Sequence, residues 1–119
     1  MSPRLRSTLG LAAVVLVVGG LSEGWRAWSA QREGAAVTAL AQPGDIHMIA
    51  SDTCVFCARA RTWFADNKVP FSECSIERDE ACAAQFRASM APGTPVLLVR
   101  GKVQVGFDPQ RVAKALGAS

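Results

Sequence analysis

Charge is what this sequence has least of. Its 13 basic and 10 acidic residues leave a formal net charge of +3. Even that excess is local: residues 1–44 hold four Arg against two Glu, and the rest holds nine basic against eight acidic residues. No basic stripe follows from such a balance, which excludes a nucleic-acid surface. Histidine is almost missing. His47 is the only one and stands beside Met48 in an apolar run. A copper site of His, Met and Cys would have to be built on it, whereas a single strand histidine usually packs or faces solvent.

Long apolar runs are scarce too. The one that occurs covers residues 9–21, after Arg4 and Arg6, and shows no polar face. It is short of the about 20 residues that a spanning helix needs and matches the core of a signal peptide. A clean Ala-x-Ala cleavage site is lacking, although Gly20-Leu21-Ser22, Ser22-Glu23-Gly24 and Ala27-Trp28-Ser29 approach one. Trp25 and Trp28 argue for retention, because tryptophans past an apolar run anchor helices at the membrane interface. Residues 1–22 are therefore read as an uncleaved signal anchor, with secretion after cleavage as the alternative. Basic residues ahead of the run place the following domain on the extracytoplasmic (periplasmic) side. Residues 23–44 then read as a tether, Ala-rich and helical up to Pro43-Gly44. Residues 45–119 are left for one small domain.

Four cysteines fall in that domain: Cys54, Cys57, Cys74 and Cys82. An oxidising compartment permits disulfides. Cys54-Val55-Phe56-Cys57 lies between a strand-like run and a helix-like run. A thiol at a helix N-terminus meets unsatisfied N–H groups and a partial positive charge, which favour the thiolate. A second thiol three residues on reaches any mixed disulfide the first one forms. Cys54 is thus the candidate nucleophile and Cys57 the resolving thiol, with no metal or organic cofactor called for. Arg59 and Arg61, one turn in, read as a solvated helix face. Asp52 is either a surface carboxylate or a proton shuttle. For Cys74 and Cys82 three readings stand: a second disulfide, a second redox pair, or two buried thiols. A zinc site on all four is disfavoured by the spacing of the second pair.

Pattern and punctuation give the element order. Residues 45–50 read as a strand, residues 57–67 as a helix, residues 69–76 as a second strand. Asp79 caps a helix reaching Met90; residues 96–99 and 103–105 form a hairpin about Arg100-Gly101-Lys102. Asp108-Pro109 starts a last helix with Val112, Ala113 and Leu116 inward. The fold class is α/β, with order βαβαββα and a four-stranded mixed sheet flanked by helices.

With that order, Cys54-Val55-Phe56-Cys57, Val69-Pro70-Phe71, Gly93-Thr94-Pro95 and Gly106-Phe107-Asp108 together resemble the glutaredoxin-like proteins of the thioredoxin superfamily. The resemblance implies a thioredoxin-like fold of glutaredoxin type and a cis-proline at Pro95 beside the cysteines. It also implies a substrate-binding surface of Thr94, Pro95, Phe56, Gly106 and Asp108, with Gly106 leaving room at the site. Glutathione is a reductant it allows without requiring, since Val55 and Ser51 stand where glutaredoxins commonly carry proline and lysine. The expected activity is thiol–disulfide exchange on extracytoplasmic protein or low-molecular-weight disulfides. Expected partners are a disulfide-containing protein or glutathione, a redox partner protein and, through the N-terminus, a membrane. A monomer is expected. The alternative is a non-enzymatic module of the same fold, for metal binding or docking, with Cys54–Cys57 a structural bridge.

Overall fold

The computed structural model describes residues 2–118. Two compact units divide the chain, Met1–Arg32 and Glu33–Ser119. The first is the leading part of a single helix, α1 (Pro3–Leu40). Its leucines and valines face outward, Leu16 at 76% exposure. By length and composition it can cross a membrane. Two hydroxyls return to the helix backbone: Thr8 Oγ1 donates to the Leu5 carbonyl (2.9 Å) and Ser22 Oγ to that of Val18 (3.0 Å). Such back-bonding satisfies hydroxyls that an apolar medium would leave unpaired. Beyond the apolar run, Trp25 and Trp28 lie 5.2 Å apart by ring centroid, and the Arg32 guanidinium sits 4.6 Å from the Trp28 ring.

The second unit begins inside the stretch expected as a tether. From Glu33 the same helix contributes to the core: Val37 is fully buried, and Gly34 lies against the Asn67 side chain, where a Cβ would collide. Thr38 Oγ1 lies within 2.8 Å of the Gly34 carbonyl and 2.7 Å of the Asn67 carbonyl. Arg100 then fastens the chain past the helix, donating to the Leu40 carbonyl (3.3 Å) and pairing with Asp45 (3.3 Å). The helix stops at Leu40, short of Pro43-Gly44.

After α1 the elements are β1 (Ile46–Ala50), α2 (Val55–Asp66), β2 (Ser72–Ser75), α3 (Glu80–Ala88), β3 (Val96–Val99), β4 (Lys102–Val105) and α4 (Pro109–Ala115). This is the expected βαβαββα order. Four strands form one sheet in the order β2-β1-β3-β4. β1 runs parallel to β2 and antiparallel to β3, and β3 and β4 form the hairpin. The parallel pair follows from a helical crossover between β1 and β2.

Both central strands are apolar on both faces because helices cover the sheet on each side. Ile46, Met48, Ala50, Leu97 and Val99 join α2, α4 and Val37 in the larger core. Ile49, Val96 and Cys82 form a smaller one with Cys74, Phe86 and Leu98 packed against it. Phe64 is the pivot of the larger core, with ring centroids of Phe71 at 4.8 Å and Phe107 at 5.3 Å. Burying one such ring stabilises by roughly 1.5–3 kcal/mol.

Three boundaries move from expectation, each for a local reason. α2 starts at Val55, since Cys54 is its cap. β2 is confined to Ser72–Ser75. The Val69 N–H goes back to the Phe64 carbonyl (2.9 Å), closing α2, and Pro70 has no N–H for a ladder. α3 ends at Ala88, because Met90 adopts a positive φ of 59° and cannot continue a helix.

Candidate active site

Cys54 takes extended backbone angles at the head of α2, and its sulfur accepts the Cys57 N–H at 3.0 Å. A sulfur thus occupies the position that Ser or Asp usually fills at a helix start. Cys54 is half-buried and Cys57 fully buried; the two are joined in a disulfide, their Cα atoms 5.2 Å apart. Of the two sulfurs, only that of Cys54 belongs to a solvent-accessible residue. Val55 and Phe56 project beside it, 65% and 61% exposed.

The sheet register brings the other expected residues to the same end. β1 leads into the Cys54 loop from Ala50. Its neighbour Ile49 pairs with Val96, the first residue of β3, and Val96 pairs with Val105, the last of β4. Pro95 is fully buried and follows Thr94 through a cis peptide bond. Its carbonyl accepts the Gly106 N–H at 2.9 Å. Thr94, Pro95 and Gly106 therefore meet on the sheet end that carries Cys54. At Gly106 a Cβ would meet no protein atom within 4 Å, which agrees with open room at the site. Its φ of +80° is what calls for glycine. Asp108 has a structural task, capping α4 through the Gln110 N–H (3.0 Å) and lying 3.7 Å from Arg111.

On the opposite flank of Cys54 lies a polar cleft of about 390 Å³. It is lined by the loop after β1, by Ala58 and Arg61 of α2, by Glu73 and Cys74 of β2, and by Ser75 and Arg78. Arg61 is not a freely solvated residue. Its Nε and Nη2 fork onto the Glu73 carboxylate at 2.9 and 2.7 Å, tying α2 to β2. That hydrogen bond holds the Glu73 carboxyl below the usual carboxylate range and raises Arg61. Asp52, noticed in the sequence as a lone neighbour of Cys54, is paired with Arg78 at 3.0 Å and receives the Ser75 hydroxyl at 3.0 Å.

Glu77 was not singled out by sequence reasoning. Its carboxylate accepts the Ser51 hydroxyl at 2.5 Å and the Asp52 backbone N–H at 3.1 Å, and lies 3.0 Å from the Ser75 hydroxyl. The Ser51 hydrogen bond is the main reason its carboxyl sits below the usual range. A Ser-x-Glu step leaving a strand is too common a pattern to have revealed this.

Cys74 and Cys82 are bridged, with Cα atoms 5.9 Å apart. Of the three readings left open for them, the bond is at odds with two separate thiols and fits both a second disulfide and a second redox pair. His47 Nδ1 lies 2.7 Å from Ser72 Oγ across the β1–β2 pair.

A four-stranded mixed sheet with a C-x-x-C bridge at the head of its first core helix and a cis-proline at the facing strand entry defines a thioredoxin-fold protein. Residues 46–104 match the glutaredoxin family model. Among solved structures, a mutant thioredoxin-like protein is similar at 21% identity and TM-score 0.56, over 64% of this chain and 99% of its own. Methanoredoxin from Methanosarcina acetivorans is 23% identical with TM-score 0.52, over 67% and 92%. The glutaredoxin from Methanosarcina mazei Go1 is 21% identical with TM-score 0.52, over 62% and 79%. A comparison with curated proteins finds no significant match. Residues 46–104 are thus a glutaredoxin-like domain on a thioredoxin-like fold, which supports a general function of the thiol–disulfide oxidoreductase kind.

Proposed function

We propose that the chain exchanges thiols and disulfides through Cys54 and Cys57, acting on protein or low-molecular-weight disulfides outside the cytoplasm. In the reduced enzyme the Cys54 thiolate attacks one sulfur of a substrate disulfide. The substrate S–S bond breaks, a Cys54–substrate disulfide forms, and the first substrate thiolate leaves. Cys57, deprotonated, then attacks Cys54 Sγ, restores the Cys54–Cys57 bridge and releases the second substrate thiolate. Two electrons pass from the dithiol to the substrate. Run backwards, the same steps oxidise a dithiol. A separate redox partner protein resets the pair in either direction.

One observation carries this reading: the half-buried Cys54 sulfur accepts the Cys57 N–H while capping α2. The same hydrogen bond and the helix end would stabilise a thiolate there, which is what a nucleophile or leaving sulfur requires. Thr94, Pro95, Gly106 and the exposed Phe56 offer backbone and apolar surface on which an extended substrate can lie. Arg4 and Arg6 ahead of an apolar, exposed helix support a membrane anchor with the domain extracytoplasmic. Membrane fractionation with protease protection of the intact chain checks that orientation.

The deciding experiment titrates Cys54–Cys57 against a glutathione redox buffer, with alkylation and mass readout. A couple that titrates within the physiological range supports exchange. The absence of any titratable couple would leave a binding module with a structural bridge.

A further inference from the structure

We infer that Glu77 is the positioning residue of the loop that carries Cys54, and that the Cys74–Cys82 bridge holds Glu77 in place. The inference rests on the reading of Cys54 as the exchanging sulfur. Glu77 lies between β2 and α3 and is exposed, yet its carboxylate is fully engaged. It takes the Ser51 hydroxyl and the Asp52 N–H, both from the loop after β1. Ser51 passes the constraint on, because its carbonyl accepts the Cys54 N–H at 3.3 Å. Two hydrogen bonds in sequence thus run from Glu77 through Ser51 to the backbone of Cys54.

Two further ties to Asp52 of that loop come from the same short segment. Ser75, the one polar residue buried among those described, lies 3.0 Å from both the Asp52 and the Glu77 carboxylates. Arg78 donates through Nε to Asp52 at 3.1 Å. Ser75, Glu77 and Arg78 all lie in the loop that Cys74 and Cys82 close. Opening that bridge removes the covalent tie between the strand and the helix that flank the segment. The ordinary account of Glu77, a surface carboxylate satisfying its own turn, explains the Ser75 contact and leaves both contacts with the Cys54 loop unexplained.

The two ways in which Glu77 can affect Cys54 have opposite signs. A clamp keeps the sulfur over the Cys57 N–H and so favours the thiolate. A bare negative charge nearby disfavours it. The other charges around the cleft, Asp52 with Arg78 and Glu73 with Arg61, are paired, so they do not mask the contrast.

The test uses the full chain in detergent, equilibrated with a glutathione redox buffer at pH 7, quenched by alkylation and read by mass. Only molecules whose Cys74–Cys82 bridge is closed are counted for wild type, Glu77→Ala and Glu77→Gln. The clamp predicts that Glu77→Ala shifts the equilibrium towards the Cys54–Cys57 disulfide by about threefold. Glu77→Gln, which keeps an acceptor and loses the charge, stays at wild type or shifts the other way. Cys74→Ala/Cys82→Ala should shift as Glu77→Ala does, and adding Glu77→Ala to it should shift no further. An unshifted Glu77→Ala, a shift of both Glu77 variants towards the dithiol, or fully multiplicative effects overturn the inference. If the double cysteine variant does not fold, the Glu77→Ala and Glu77→Gln pair decides alone. A wild type without a titratable couple defeats the exchange reading itself; a titrating wild type matched by Glu77→Ala defeats only the clamp.

Discussion

The two disulfides of this chain are the same bond in opposite settings. Cys54–Cys57 closes a single helical turn, with one sulfur half-buried at a helix cap and the other beneath it. Cys74–Cys82 joins an edge strand to a helix, and Cys82 is 1% exposed among Ile49 and Val96. A sulfur can act as a nucleophile or leaving group only where another sulfur can reach it in line and where its thiolate is stabilised. The first bridge places one half-buried sulfur at a helix N-terminus, accepting the Cys57 N–H, where a thiolate would be stabilised. In the second, Cys82 is built into apolar packing, which shields it and raises the cost of its thiolate. Cys74 is half-buried like Cys54 but stands on a strand with no helix end behind it. On the exchange proposed for Cys54, surroundings and not the bond would separate the two bridges.

The contrast breaks most sharply at Cys54. Cys54→Ser should drop disulfide exchange to the background rate of free thiols while leaving the circular dichroism spectrum of the folded chain close to wild type. Cys57→Ser should instead accumulate the Cys54–substrate mixed disulfide, visible by mass. If Cys54→Ser retained wild-type exchange, the assignment of roles would be wrong. The next largest effect is on stability. Removing the second bridge as Cys74→Ala/Cys82→Ala should cost about 2–3 kcal/mol, from the chain-entropy relation for a loop of this length, in urea unfolding without reductant. Exchange should survive at a shifted equilibrium. A double variant as stable as wild type would show that packing of Cys82, and not the bridge, holds β2 to α3.

Much of this contrast was legible in the sequence. The C-x-x-C between an apolar run and a helical run gave the site, and Asp79, Asp108-Pro109 and the Arg100-Gly101 turn gave the caps and the hairpin that the structure contains. What was not legible depends on partners distant in the chain. Arg61 reads as a solvated residue until β2 brings Glu73 beside it. Glu77 reads as a turn residue until the parallel pairing of β1 with β2 sets it against Ser51 and Asp52. Val37 sits in a stretch whose composition is that of a linker, and only the contact with Asn67 and the larger core shows that the helix end is part of the folded unit. Local pattern fixes elements; it does not fix which exposed charge finds which.

Smaller effects sharpen the comparison from the holding side. Asp79 caps α3 by accepting the Ala81 N–H (2.9 Å) and the Cys82 N–H (3.3 Å), so cap and bridge act on the same residue. Asp79→Ala should cost about 1 kcal/mol in the wild-type background. In the background lacking the bridge the cost should differ, because the two constraints share Cys82. Equal costs in both backgrounds would make cap and bridge independent.

The smallest effect belongs to the ion pair beside Cys54 and has a defined sign with pH. The Arg61 hydrogen bond lowers the Glu73 carboxyl, so the folded chain binds fewer protons there than the unfolded one. Its contribution is complete above the ordinary carboxylate range and is lost as pH falls through the depressed folded value. Both side chains are more than a third exposed (46% and 35%), and solvent screening holds the pair to about 0.2–1 kcal/mol. Glu73→Gln should therefore be less stable than wild type at pH 7 by that amount in urea unfolding, and the deficit should shrink as pH falls through the depressed carboxyl value and wild type loses the charge too. A deficit that persists in acid would mean that Glu73 acts by packing against α2. Since Arg61 and Glu73 line the cleft on which Cys54 opens, the same variant also separates structure from chemistry. An exchange equilibrium that moved with Glu73→Gln while stability did not would place this pair in the electrostatics of the exchanging bridge.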